Sequence, residues 1–248
     1  AILAGIPVIV KPATDSCYVT EAAVKLILNS GILPEGSLQL VCGSITALLN
    51  QLNCQDVVSF TGSQKTALTL RNHPRLSENS VKLITEQDSL NATILCPESN
   101  IGNPEYELFI KEIIKEITTK AGQKCTAIRR ILVPQKILEN VSYKLSQILS
   151  SIKVGDPRDL DTQMGALISQ QQKNDVAKKV EDLSRECEVS IQCVPQDVPA
   201  QGSYYGPTLL IARNPDTAVS VHSKEAFGPV ATLMGYRDLD HASSLINK

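Results

Sequence analysis

A chain of 248 residues with 42% hydrophobic and 20% charged residues has enough apolar material for one large core or two smaller ones, which excludes a disordered or peptide-like protein. A formal net charge of −2, with Lys and Arg interspersed among Asp and Glu, leaves no basic stripe to neutralise a run of phosphates and argues against a nucleic-acid partner. Seven cysteines, an odd number with no CxxC pair, fit a reducing, cytoplasmic setting better than a disulfide scaffold. His73, His222 and His241 stand too far apart in sequence to suggest a metal site, and none is expected.

The opening AILAGIPVIV is apolar but has no basic lead and is shorter than the ~20 residues of a membrane span; it reads as the approach to a buried strand. Up to about Lys120, β-rich runs then alternate with amphipathic ones: a strand at Val8 to Lys11, a helix at Glu21 to Asn29, a strand at Leu38 to Val41, a helix at Ile45 to Leu52. The unbroken apolar character of PVIV and VVSF suits strands covered on both faces of a parallel sheet, so the expected class is α/β with a doubly wound sheet. From Glu105 to Lys120, the residues Tyr106, Phe109, Ile110, Ile113, Ile114 and Ile117 recur at helical spacing and form one apolar stripe. The run AGQKCTAIRR interrupts that pattern. ILVP then reads as a strand, Lys136 to Ser150 and Gln170 to Cys187 as helices, and Val189 to Gln192, Thr208 to Ile211 and Val230 to Met234 as strands. Two α/β domains are expected, over residues 1–120 and 121–248. The chain starts almost inside a strand and ends in the helical run SLINK, so the first is expected to lack its beginning and the second its end.

A thiol nucleophile must spend time as thiolate, which requires cations or oriented N–H groups beside it. Cys125 has Lys124 before it, Arg129 and Arg130 after it, and Gly122 to permit a loop; the competing reading is a small buried hydrophobe. Lys11 and Thr14 close a strand at the sheet edge where dinucleotides bind, or are merely exposed. Gly62 and Ser63 lead into a helix whose N-terminus favours a phosphate, or form an ordinary N-cap. Glu86, with Asp88 as its rival, is the candidate carboxylate base.

Four motifs, VIVKPAT, VVSFTGS, KAGQKCTAIRR and EAFGPV, occur in the order found in the aldehyde dehydrogenase superfamily and together run through nearly the whole chain. The chain therefore resembles that superfamily. The resemblance implies a partial aldehyde dehydrogenase fold, an NAD(P)-binding domain followed by a catalytic one, and oxidation of an aldehyde through a thioester on Cys125. It places Lys11 at the adenosine ribose, Gly62 and Ser63 at the pyrophosphate, Glu225 and Phe227 at the nicotinamide ribose, and Glu86 as the base that activates water. Many NAD-preferring members carry a glutamate three residues after the lysine, where Thr14 stands here, so NADP is the preferred cofactor with NAD still open. TEQDSLN replaces the family's usual glutamate followed by Leu-Gly-Gly. That departure is similar to the dehydrogenase domain of the bifunctional ring-opening proteins of phenylacetate degradation, and nearly as similar to dehydrogenases of the benzoyl-CoA pathway. Both imply a small-molecule, CoA-linked semialdehyde as substrate. A CoA-acylating dehydrogenase, and a fragment that only binds cofactor, are the alternatives; the family supplies an oxyanion-hole asparagine upstream of Ala1 and completes its substrate tunnel beyond Lys248. A homo-oligomer is expected for the full-length protein, with no membrane partner.

Overall fold

The structure, a computed structural model, describes residues 1–248, which divide into two compact units, Ala1–Asp88 and Ser89–Lys248.

The first unit runs β1 (Val8–Val10), α1 (Cys17–Asn29), β2 (Leu38–Leu40), α2 (Thr46–Leu49), β3 (Val57–Thr61), α3 (Gln64–Arg71), α4 (Pro74–Glu78) and β4 (Lys82–Glu86). β1 pairs in parallel with β2, and β3 with β4, each across a helical connection, as parallel neighbours require. The two pairs remain separate two-stranded sheets. Both-sided burial, expected from the apolar runs, does not hold here. Val57, Ser59 and Thr61 and their register partners Lys82, Ile84 and Glu86 form one exposed face, while Val58, Phe60, Leu83 and Thr85 are half-buried. An apolar run specifies a strand but not how many of its faces are covered. Leu49, Leu76 and Val81 make a small core, with Val58, Leu70 and Leu83 packed on it. The opening is likewise not the approach to a buried strand: Ile2–Ala4 is a single 3-10 turn, and Leu3 and Ile6 are exposed. α2 stops after one turn because the chain beyond it closes on its own side chains; Asp56 Oδ2 accepts the Asn53 N–H at 2.8 Å and Asn53 Oδ1 the Gln55 N–H at 2.9 Å.

The second unit runs β5 (Ala92–Ile94), α5 (Pro104–Thr118), β6 (Arg130–Pro134), α6 (Leu138–Ser150), α7 (Gln170–Leu183), β7 (Glu188–Gln192), β8 (Thr208–Ala212), β9 (Val230–Tyr236) and α8 (Leu239–Ile246). Its five strands lie in the order β5-β6-β9-β8-β7, all parallel except for the antiparallel edge strand β7. Side chains alternate across this sheet. Ile131, Val133, Leu209, Ile211, Ala231 and Leu233 enter one core with α5 and α6, while Leu132, Leu210, Ala212, Val230 and Met234 enter the other with α7 and α8. The α5 stripe buries Tyr106, Ile110, Ile113 and Ile117, with Phe109 and Ile114 packed beside them. Each such fully buried side chain contributes roughly 1.5–3 kcal/mol.

The compact units part at Asp88, earlier than the division at Lys120 read from the sequence. β5 is too short and plain to stand out from its turn-rich neighbourhood, yet it pairs with β6, and α5 packs on the same sheet; residues 89–120 therefore fold with residues 121–248. No helix is long and apolar enough to cross a membrane.

Candidate active site

Cys125 lies in the loop between α5 and β6, and the approach to it is strained. Lys120 and Ala121 have φ of 54° and 51°, left-handed values that cost a non-glycine residue about 1–3 kcal/mol each, and Gly122 follows at φ 67°. Gly122 is there for a second reason: a Cβ at this position would lie 2.1 Å from the Gly228 carbonyl oxygen, so only glycine lets the loop carrying Cys125 and the EAFGPV loop touch. Gln123 secures the approach, accepting the Ile168 N–H at 3.0 Å and donating to the Lys120 carbonyl at 3.1 Å.

From Lys124 to Ala127 the chain makes a β-turn closed by the Ala127 N–H donating to the Lys124 carbonyl at 3.1 Å, with Cys125 and Thr126 at its two central, exposed positions. Neither central N–H donates to any acceptor in the protein. The Cys125 carbonyl, by contrast, accepts twice, from Asn91 Nδ2 at 2.6 Å and from Ser89 Oγ at 2.8 Å. Cys125 is exposed, so the reading as a small buried hydrophobe does not describe it.

The cations that flank Cys125 in sequence are committed elsewhere. Lys124 Nζ pairs with Glu116 Oε1 at 2.6 Å, and Arg129 Nε with Glu225 Oε1 at 3.1 Å. Arg130 donates to the carbonyls of Leu90, Leu245 and Ile246. The support expected from these side chains is therefore not found, since each is turned to another partner.

Arg129 joins the two loops. Its side chain is 4% exposed; Nη2 donates to the Gly122 carbonyl and Nη1 to the Gly228 carbonyl, both at 2.8 Å, and its guanidinium lies 5.6 Å from the centroid of the Phe227 ring. Burial draws the Arg129 guanidinium below the usual arginine range, and Glu225 opposes that shift. Glu225 is itself only 6% exposed, and its Oε2 accepts the Ser89 N–H at 3.0 Å. Phe227 is exposed at 38%.

In the first unit, Lys11 follows β1 and Thr14 begins the turn Thr14–Ser16; both are exposed at the carboxyl end of a parallel strand, and Lys11 enters no ion pair. Gly62 and Ser63 connect β3 to α3. A Cβ at Gly62 would lie 2.6 Å from the tip of the Phe60 ring, so a larger residue there would have to push the ring aside. Ser63 caps α3, its Oγ accepting the Thr66 N–H at 3.3 Å. Asp88 serves the same helix end: its Oδ1 accepts the Gln64 N–H at 2.9 Å. Glu86, the last residue of β4, is exposed and engages no cation.

These residues suit a dinucleotide unevenly. An uncompensated cation beside a neutral threonine at a strand's carboxyl end fits a ribose or its phosphate. The α3 N-terminus already holds a carboxylate, and Glu225 offers only the lone pairs that Arg129 and Ser89 leave free. Asn91 and Ser89 went unnoticed in the sequence, as did the bridging role of Arg129. The first two sit in a turn-rich stretch, and Arg129 reads there only as a cation beside Cys125.

The second unit thus joins a mostly parallel, helix-flanked sheet to a strained loop that carries an exposed cysteine just ahead of β6. The chain belongs to the aldehyde dehydrogenase family, whose pattern it matches over residues 1–248. It is 40% identical over 253 residues to the 3,4-dehydroadipyl-CoA semialdehyde dehydrogenase of Aromatoleum evansii, covering 100% of this chain and 49% of that protein. The chain spans about half the length of the curated relatives it matches. Among solved structures it resembles betaine aldehyde dehydrogenase from Staphylococcus aureus, crystallised with NAD+, at TM-score 0.84 and 23% identity over 97% of this chain and 47% of that one. A proline utilization A protein from Bradyrhizobium japonicum matches at TM-score 0.83 and 24% identity, over 97% of this chain and 24% of that one. At such identities these two likenesses speak for the fold.

Proposed function

We propose that this chain carries the cofactor-binding strands and the nucleophile of an NAD(P)-dependent dehydrogenase that oxidises a CoA-linked semialdehyde to its carboxylic acid. The observation that carries the proposal is the Cys125 turn: an exposed thiol flanked by two backbone N–H groups with no protein acceptor, on a loop held by Gly122 and Arg129. The thiolate adds to the aldehyde carbon, forming a C–S bond and leaving the charge on oxygen, where the free N–H groups of the turn stabilise it. A bound nicotinamide supplies the hydride acceptor for the oxidation. Glu86, exposed and unpaired, takes a proton from water; the hydroxide attacks the thioester carbon, the C–S bond breaks, and the acid leaves with the Cys125 thiolate restored.

Lys11 contributes a cation toward the adenosine ribose, and Thr14 leaves a 2′-phosphate unrepelled, which favours NADP. Gly62 and Ser63 present the start of α3 to the pyrophosphate, sharing it with Asp88. Phe227 offers an exposed ring to the nicotinamide ribose, and Glu225 a carboxylate already oriented by Arg129 and the Ser89 N–H, to which a ribose hydroxyl adds as a further donor. The CoA-linked substrate is supported by the 40%-identical relative, a CoA-semialdehyde dehydrogenase, and by the TEQDSLN stretch.

NADPH and NADH formation with free and CoA-linked semialdehydes, measured on the parental full-length protein, tests this reading. Cys125→Ala should abolish turnover, and Glu86→Gln should lower it by about 10²–10⁴-fold. Unchanged oxidation by Cys125→Ala removes the nucleophile assignment. Turnover that requires added free CoA identifies a CoA-acylating enzyme instead.

A further inference from the structure

Asn91 and Ser89 take no part in the thioester chemistry, yet both are spent on the nucleophile. The Asn91 amide nitrogen donates to the Cys125 carbonyl at 2.6 Å and to the Ala127 carbonyl at 3.1 Å, so its two hydrogens grip the turn at two points. Ser89 Oγ donates to the same Cys125 carbonyl at 2.8 Å. Asn91 is itself fixed, because its backbone carbonyl accepts the N–H groups of both Arg129 and Arg130 at 3.0 Å, at the foot of β6. A carbonyl at the centre of an exposed turn normally faces water; this one faces two protein donors.

The peptide between Cys125 and Thr126 is planar and trans, so its N–H points opposite to its C=O. Drawing the carbonyl toward Asn91 and Ser89 turns the Thr126 N–H away from them and leaves it without a protein acceptor. We infer that Asn91 and Ser89 are positioning residues that set the plane of the Cys125–Thr126 peptide, and so aim the Thr126 N–H that serves the Cys125 sulfur and the oxyanion. The inference rests on Cys125 being the nucleophile. It assigns the support of the thiolate to two neutral side chains gripping a backbone carbonyl, where the neighbouring cations are engaged elsewhere.

The test is site-resolved alkylation of the folded chain by iodoacetamide, followed by peptide mass spectrometry from pH 6 to pH 9. Cys42, Cys54 and Cys96 are also exposed and act as internal references. Cys125 in the wild type should react faster than these three at neutral pH. Asn91→Ala and Ser89→Ala should each slow Cys125 by about tenfold, a change worth about 1.4 kcal/mol, and should shift its pH profile without moving the references. Ser89→Thr, which keeps the hydroxyl, should restore the rate. The double variant should lose less than the product of the single losses, because both donors share one acceptor. Circular dichroism identifies any variant that fails to fold, and if Asn91→Ala does, the Ser89→Ala and Ser89→Thr pair decides. A wild-type Cys125 no faster than its references overturns the nucleophile reading and this inference with it. A fast wild-type Cys125 whose rate and pH profile survive both alanine substitutions overturns the positioning role alone.

Discussion

The two compact units solve the problem of burial to very different degrees. Ala1–Asp88 has six buried apolar side chains, Val24, Leu38, Leu49, Ala67, Leu76 and Val81, and exposes a row of large ones that includes Leu3, Ile6, Tyr18, Leu26, Ile32, Val57 and Ile84. Ser89–Lys248 closes one core on each face of its five-stranded sheet. The difference teaches where precision in this molecule comes from. A loop that keeps two consecutive non-glycine residues, Lys120 and Ala121, at left-handed φ needs surroundings that over-determine it, and the double core of the second unit supplies them, whereas the first unit holds one such residue, Ser80 at φ 52°.

The contrast should be plainest in stability. Leu145→Ala, in the α5/α6 core, should lower unfolding free energy by about 2–5 kcal/mol, whereas Ile84→Ala, on the exposed face of β4, should stay within about 0.5 kcal/mol. Urea denaturation of the two variants measures both, and equal losses would break the comparison. Native-state hydrogen exchange sharpens it: amides of β6, β8 and β9 should be protected at least about a hundredfold more than those of β1 to β4.

Gly122→Ala carries the comparison into the site. A methyl group 2.1 Å from the Gly228 carbonyl, on a residue with φ 67°, forces the two loops apart at a cost of about 1–3 kcal/mol. Cys125 alkylation should fall with it, while the urea midpoint should drop less than for Leu145→Ala. On the cofactor side, Thr14→Glu should lower the preference for NADP over NAD by about tenfold in the full-length protein.

The smallest effect expected is on pH dependence. His222 Nδ1 accepts from Arg130 Nη1 at 3.2 Å, which leaves the ring hydrogen on Nε2 for the Pro215 carbonyl at 3.0 Å. Burial draws this imidazole below its ordinary 6.5, the Pro215 contact opposes that shift, and the Arg130 charge reinforces it. Below pH 6.5 the unfolded chain therefore binds a proton that the folded chain refuses. Stability should fall as pH drops from about 6.5 to the folded-state value and level off beneath it. Urea midpoints between pH 7 and pH 5 should show that fall in the wild type and a flatter line in His222→Gln.

Much of the second unit was legible in the sequence because its periodicity is strong. The α5 stripe, ILVP and the two closing strands carry side chains that alternate or recur as the cores demand. The boundary at Asp88 was not legible, since β5 is three residues of Ala, Thr and Ile whose role depends on pairing with a strand far along the chain. The candidate nucleophile stood out through its neighbours, but for an incomplete reason. Lys124, Arg129 and Arg130 looked like thiolate support, and only three-dimensional geometry shows Glu116, Glu225 and backbone carbonyls claiming them. Asn91 was invisible for the same cause: an asparagine before a short strand looks like turn punctuation until its amide is seen gripping a carbonyl 34 residues away in sequence.

The most direct test of Cys125 as the nucleophile is to trap its thioester. The full-length Glu86→Gln protein, given NADP and a CoA-linked semialdehyde, should accumulate the acyl mass on the peptide containing Cys125 and on no other. Acylation at Cys42, Cys54 or Cys96, or NADPH formation with every cysteine unmodified, would contradict it.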